Sequence, residues 1–151
     1  MTPRIPNPAT HVPGAFQALQ ALSRAAEHPG VSAQTHLLVQ LRASQLNGCS
    51  VCAIQHARDL KKAGASDDLI FAVGAWRDAP YFSDAERSAL ALTEAVTRLS
   101  DRPDPVPDDV WAEAARHHDE AALGALLLSI ASINVWNRLN VATRQVGGAA
   151  W

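Results

Sequence analysis

The chain has 151 residues, the usual size of one domain, of which 48% are hydrophobic and 19% charged, and this composition excludes wholesale disorder. Thirteen basic against fifteen acidic side chains give a formal net charge of -2, which argues against a nucleic-acid or acidic-membrane partner. We expect no apolar run near the roughly 18 residues of a membrane span, and the N-terminus lacks the apolar core of a signal peptide, so the sequence predicts a cytoplasmic protein.

The amino-acid usage predicts an all-α fold. Alanine supplies 29 residues and leucine 16, and both are strong helix formers, whereas β-branched and aromatic residues are sparse. Residues 1–12 contain three prolines and are predicted to be an N-terminal arm that lies on a neighbouring surface or frays. Residues 13–151 are predicted to form a single helical domain.

Start and stop signals divide that domain into seven predicted helices. Ser32, Ser66 and Asp119 are candidate N-caps, and Ser83 with Glu86 has the spacing of a capping box. In chain order the predicted helices run from about Gly14 to His28, from Ser32 to Leu46, from Cys49 to Lys62, from Ser66 to before Pro80, from Ser83 to about Leu99, from Asp109 to His117, and from Glu120 to about Arg144.

The last predicted helix is apolar around much of its circumference. Such a helix is buried on several sides, either as the centre of a fold or at a subunit interface. A monomer of this size does not readily cover so much apolar surface, so we predict a homo-oligomer.

The two cysteines, Cys49 and Cys52, are the strongest chemical feature of the sequence. They are too few for a disulfide scaffold or a four-cysteine zinc site. On a helix, residues three apart share a face with Cβ atoms about 5 to 6 Å apart, within reach of a disulfide. The preceding Asn47-Gly48 places Cys49 near the start of a helix, where the backbone N–H groups favour a thiolate.

His56 lies one helical turn beyond Cys52 on the same face, where it can accept a proton from a thiol or donate one to a leaving oxygen. Two thiols and one base suit attack on a peroxide, in which one cysteine becomes a sulfenic acid and the other resolves it as a disulfide. The helix end favours a thiolate at Cys49, whereas the spacing couples His56 to Cys52, so the attacking cysteine stays open. Two other interpretations are a pair of small buried side chains and a partial zinc site with His36 as the nearest candidate ligand.

Residues 41–52, read LRASQLNGCSVC and followed by His56, closely resemble the core of the AhpD-like alkylhydroperoxidase group of the carboxymuconolactone decarboxylase superfamily. The stretches 75–77, 82–93 and 133–140 also resemble single-domain members, so the resemblance covers about residues 14 to 142. It implies an all-α bundle assembled as trimers or hexamers. It also implies a peroxidase without cofactor or metal, with Cys49 and Cys52 as its redox pair and His56 as proton-transfer partner. The implied partners are a small-molecule hydroperoxide and a thiol or lipoyl-bearing reductant protein.

One departure from the family pattern concerns the proton relay. The family usually has a glutamate twelve residues before the first cysteine, and here that position is Leu37. The glutamate is replaced by His36, by Glu94 or by nothing, and we therefore expect weak peroxidase activity. Two alternatives keep the fold but change the function: a lactone decarboxylase-type activity, and a non-enzymatic redox-sensing oligomer.

Overall fold

A computed structural model describes residues 2–101 and 103–148. Met1 of the predicted arm, and Arg102 and residues 149–151 of the predicted domain, lie outside the described residues. The described residues form helices and no strand, which confirms the all-α prediction. The helices are α1 (Pro8–His11), α2 (Ala15–Ala25), α3 (Ala33–Leu46), α4 (Ser50–Lys62), α5 (Asp67–Ala72), α6 (Asp84–Thr97), α7 (Asp108–His117) and α8 (Glu120–Ala142), with a 3₁₀ turn (Val73–Ala75) after α5.

The predicted N-caps stand at the helix starts. Ser32, Ser66 and Asp119 each accept a hydrogen bond from a backbone N–H in the first turn of the following helix. Ser83 and Glu86 form the complete capping box at the start of α6. The helix ends were less predictable, because α2 ends at Ala25 rather than near His28 and α8 ends at Ala142 rather than near Arg144.

The bundle is organised around α3 and α8. Helix α3 packs against α4, α6 and α8, and α8 also packs against α2, α6 and α7. Two hydrophobic clusters fill the spaces between these helices. A third, smaller cluster joins both cysteines to Val51 and Ala43 and to Ile133 of α8. The start of α4 is therefore held against the middle of the longest helix.

Helix α8 is long and apolar enough to cross a membrane by length and composition alone. The expectation that no stretch approaches a span is wrong for this helix. More than half of its most apolar window is buried inside the bundle, as expected of a core helix. Leu128, Val135 and Val141 remain partly exposed, and the homo-oligomer stays a prediction.

The N-terminal arm lies along the end of α8. The Arg4 backbone N–H donates to the Thr143 carbonyl at 2.9 Å, and Gln145 Nε2 donates to the Ile5 carbonyl at 2.9 Å. The arm also contains the one-turn helix α1, whose N-cap is Asn7. The sequence analysis did not predict α1, because the three prolines around it resembled a loop.

Candidate active site around the cysteine pair

The cysteine pair lies at the start of α4. Gly48 has a φ of 67°, a left-handed conformation that suits glycine, and it ends the turn between α3 and α4. Cys49 is the N-cap of α4, and its Sγ accepts the Cys52 backbone N–H at 3.4 Å. The two residues are bonded as a disulfide with their Cα atoms 5.4 Å apart. Both side chains are buried, with 2% of Cys49 and 5% of Cys52 exposed.

Cys52 and His56 line the same pocket, which has a volume of about 300 Å³. Its wall includes Phe16 and Trp136, whose rings pack edge to face with centroids 5.8 Å apart. Within the described part of the chain, His56 and, once the disulfide is reduced, Cys52 are the only lining residues with an ionisable side chain. The remaining lining residues are Asn7, Thr10, Ser23, Gln40, Val51, Gln55, Ser132, Ile133 and Asn140.

Cys49 faces a different space on the other side of the disulfide. This cleft, of about 570 Å³, lies between the start of α4 and residues 140–147. Gly147 packs so closely on α4 that a Cβ atom there would lie 2.8 Å from Ile54 Cδ1. The two cysteines of one disulfide therefore line two different spaces.

His56 is a neutral imidazole at pH 7. Burial lowers its pKa from the ordinary 6.5 to about 4, and the nearby Asp59 carboxylate raises it by a smaller amount. Its Nδ1 is buried and has no hydrogen-bond partner among the described residues. A neutral imidazole can take a proton from a thiol, but one with so low a pKa is a weak base.

Glu94, one candidate for the missing relay carboxylate, is engaged elsewhere. It accepts hydrogen bonds from Arg42 Nε, Trp76 Nε1 and Arg77 Nη1 at 2.8 to 2.9 Å. Burial raises the pKa of Glu94, but these hydrogen bonds and the Arg42 charge outweigh it and hold the pKa below its usual range. Glu94 is not among the residues that line the pocket of Cys52 and His56.

His36 and Leu37 line a neighbouring cleft of about 550 Å³. Burial lowers the pKa of His36, with a smaller opposing effect from Glu27. Neither residue lines the pocket of His56, whereas Gln40, one turn further along α3, lines both spaces. Sequence reasoning missed Gln40, although its spacing of three residues from the vacant relay position was the available signal.

Three asparagines on α8, spaced three residues apart, form a buried polar ladder beside the cysteines. Asn134 and Asn137 accept hydrogen bonds from Asn47, in the turn before Cys49. Asn140, nearest the C-terminus, donates from Nδ2 to Cys52 Sγ at 3.3 Å. The sequence analysis noted this stretch only as part of a resemblance and gave Asn140 no role.

The described part of the chain offers no metal-ligand set at the cysteines. Among residues 2–101 and 103–148, no three His, Cys, Asp or Glu side chains lie close enough together to hold a metal ion. His36, the nearest candidate in sequence for a zinc ligand, lines a different cleft from either cysteine. The partial-zinc interpretation therefore has no third ligand in this arrangement.

Residues 13–95 match the model of the carboxymuconolactone decarboxylase family. YdfG of Bacillus subtilis, an uncharacterised protein, is 30% identical over 130 residues, which are 86% of this chain and 87% of YdfG. YnjA of Escherichia coli, also uncharacterised, is 38% identical over 106 residues, which are 70% of this chain and 56% of YnjA.

Solved structures of the same fold carry different functional descriptions. ATU0492 of Agrobacterium tumefaciens, a protein of unknown function provisionally described as the antioxidant defence protein AhpD, superposes with a TM-score of 0.90 and 30% identity. The match covers 99% of this chain and all of ATU0492. The debrominase Bmp8 superposes with a TM-score of 0.78 and 21% identity, over 91% of this chain and 73% of Bmp8. The second likeness concerns the fold alone.

Proposed function

We propose that this chain, which belongs to the AhpD-like group of the carboxymuconolactone decarboxylase family, is a thiol-dependent hydroperoxide reductase. The observation that carries the proposal is that Cys52 and His56 line the same pocket, while Cys52 is joined to Cys49 by a disulfide. A nucleophile, a base beside it and a resolving thiol are the groups that the reaction needs.

In the proposed reaction, the Cys52 thiolate attacks the distal oxygen of a hydroperoxide in the pocket. The O–O bond breaks, Cys52 becomes a sulfenic acid, and the departing alkoxide takes a proton to leave as an alcohol. The Cys49 thiol then attacks the Cys52 sulfur, which expels water and forms the disulfide. Two thiols are oxidised while one hydroperoxide is reduced to one alcohol and one water.

His56 is proposed to carry the proton in this cycle. The neutral imidazole takes the proton of the Cys52 thiol and returns it to the departing alkoxide. Its pKa of about 4 makes it a poor proton acceptor at pH 7, because burial disfavours the imidazolium. With leucine at the relay position, only the smaller effect of the Asp59 carboxylate opposes this burial, which supports a slow reaction.

The pocket favours a hydroperoxide with an apolar organic part. The Phe16 and Trp136 rings form an aromatic wall, and among the described residues that line the space only Cys52 and His56 have side chains that can carry a charge. An apolar substituent gains free energy by leaving water for such a wall, whereas hydrogen peroxide gains nothing from it.

The reductant, assembly and location complete the proposal. A thiol or a lipoyl-bearing protein re-reduces the disulfide, and the cleft beside Cys49 offers the approach. The proposed location is the cytoplasm. The proposed assembly is a homo-oligomer, which the partly exposed apolar side chains of α8 support.

Stopped-flow mixing of the pre-reduced protein with cumene hydroperoxide and with hydrogen peroxide tests the proposal. The wild type is expected to consume one hydroperoxide per dithiol and to react faster with the organic substrate. Cys52→Ser is expected to abolish the reaction, whereas Cys49→Ser keeps a single oxidation without disulfide formation. One round of disulfide and alcohol formation, with no further turnover when a thiol reductant is supplied, would instead favour a slow redox sensor. Decarboxylation of a lactone substrate by the double serine variant would favour lactone decarboxylase-type chemistry.

A second candidate is reductive removal of halogen from an aromatic ring. The aromatic pocket beside a dithiol favours it, and the structural neighbour Bmp8 is a debrominase. The same two thiols would become a disulfide while a carbon–bromine bond is replaced by carbon–hydrogen and bromide leaves. Bromide release from tribromopyrrole by the pre-reduced protein, in the absence of any peroxide, distinguishes this activity from the first.

A further inference from the structure

A chain of hydrogen bonds runs from the N-terminal arm to the Cys52 sulfur. The Ala9 backbone N–H donates to Asn7 Oδ1 at 2.9 Å, and Asn7 Nδ2 donates to Asn140 Oδ1 at 2.9 Å. Asn140 Nδ2 then donates to Cys52 Sγ at 3.3 Å. Asn7 and Asn140 are 6% and 5% exposed, so water does not compete freely for these groups.

The direction of this chain is fixed by its first member. A backbone N–H can only donate, so the Asn7 side chain must turn its oxygen toward Ala9. Its nitrogen then faces Asn140 and can only donate, which turns the Asn140 oxygen toward Asn7 and the Asn140 nitrogen toward the sulfur. Because each side-chain amide has one accepting and one donating end, the Ala9 backbone N–H determines that Asn140 turns its donating Nδ2 toward Cys52 Sγ.

We propose that Asn140 is a catalytic residue that stabilises the Cys52 thiolate by donating a hydrogen bond to it, and that Asn7 is a positioning residue that keeps Asn140 in this orientation. The inference rests on the proposed function for its consequence, since the thiolate is the species that attacks the hydroperoxide. A sulfur anion accepts a hydrogen bond more strongly than a thiol does, so a fixed donor favours ionisation. Among the described residues that line the pocket, no lysine or arginine is present to do the same.

The N-terminal arm is anchored at the end of α8, close to Asn140. Arg4 donates to the carbonyls of Thr143 and Ala142, and Gln145 holds the carbonyl of Ile5, so the segment before Asn7 is attached to the end of the helix that carries Asn140. The donor and the residue that orients it therefore stay together.

The test is a thiolate titration of the reduced protein in a Cys49→Ser background, where Cys52 is the only thiol in the chain. Thiolate is followed by its ultraviolet absorbance and by the rate of alkylation with iodoacetamide as pH rises. Asn140→Leu, which replaces the amide by an apolar group of similar size, is expected to lower the ionisation constant of Cys52 by about 10-fold or more, the usual effect of a hydrogen bond to a charged group. Asn7→Ala is expected to move it in the same direction by less, because it frees the orientation of Asn140 without removing the donor.

Asn137→Leu is the matched control, because Asn137 is also a buried amide, one turn earlier on α8, and it bonds Ser44 and Asn47 rather than a sulfur. It is expected to lower stability without moving the titration. An unchanged titration in Asn140→Leu, or in Asn7→Ala if the first variant does not fold, would overturn the inference, as would an equal shift in Asn137→Leu. A titration that moves as expected in a protein that reduces no hydroperoxide would uphold the inference and refute the proposed function.

Discussion

Replacing His56 by glutamine is expected to make the fold less sensitive to acid. Burial lowers the pKa of His56 to about 4 in the folded chain, whereas in the unfolded chain it keeps its ordinary 6.5. The unfolded state therefore binds a proton that the folded state refuses. As pH falls, the wild type loses stability, beginning near the unfolded pKa and continuing until the folded pKa is reached.

The size of this loss follows from the two pKa values. Between pH 7 and pH 5 the linkage relation gives about 2 kcal/mol of folding free energy lost to His56 alone. Urea denaturation of the oxidised protein at both pH values and one protein concentration measures it. His56→Gln is expected to lose about 2 kcal/mol less than the wild type over this interval.

His11→Gln is the control, because this histidine is exposed and does not line the pocket of Cys52 and His56. The stability lost by His56→Gln on acidification is compared with the loss in this variant. If His56→Gln loses as much stability as the wild type on acidification, His56 is not a desolvated neutral imidazole. The account of the weak base would then be wrong.

Three further predictions concern the pocket, the ion pairs and the assembly. Gln40→Glu is expected to raise the His56 pKa, measured by NMR titration, and to speed hydroperoxide reduction about 10-fold or more, because a carboxylate then shares the pocket with the imidazole. Leu37→Glu is expected to have a smaller effect on both, because that side chain lines the neighbouring cleft. No acceleration in either folded variant would refute a proton role for His56. Glu94→Gln is expected to cost about 2 kcal/mol in urea denaturation by breaking its pairs with Arg42 and Arg77, while the rate per folded molecule stays unchanged; a lost rate would place Glu94 in the reaction. Light scattering at micromolar concentration is expected to give a homo-oligomer, and a mass of about 16 kDa would contradict it.

Helix starts and the redox pair were predictable because their signals are local. A serine or aspartate at an N-cap bonds a backbone N–H three residues away, so Ser32, Ser66 and Ser83 were visible in the sequence. The cysteine spacing and the turn at Gly48 are equally local. The all-α fold class was predictable from the alanine and leucine content alone.

The parts of the site that sequence analysis missed depend on contacts between distant segments. Asn140 meets Cys52 across 88 positions, and Asn7 meets Asn140 across 133. No spacing rule relates such residues, because tertiary packing alone brings them together. Glu94 was a reasonable relay candidate by residue type, yet Arg42, Trp76 and Arg77 hold it away from the pocket.

Trapping the first intermediate shows whether Cys52 is the sulfur that hydroperoxide oxidises. The reduced Cys49→Ser and Cys52→Ser variants are each mixed with one equivalent of cumene hydroperoxide in the presence of dimedone, and the modified residue is located by mass spectrometry. We predict a dimedone adduct on Cys52 in the first variant and none on Cys49 in the second. An adduct on Cys49 alone, or on neither cysteine while the wild type still consumes hydroperoxide, would contradict the account.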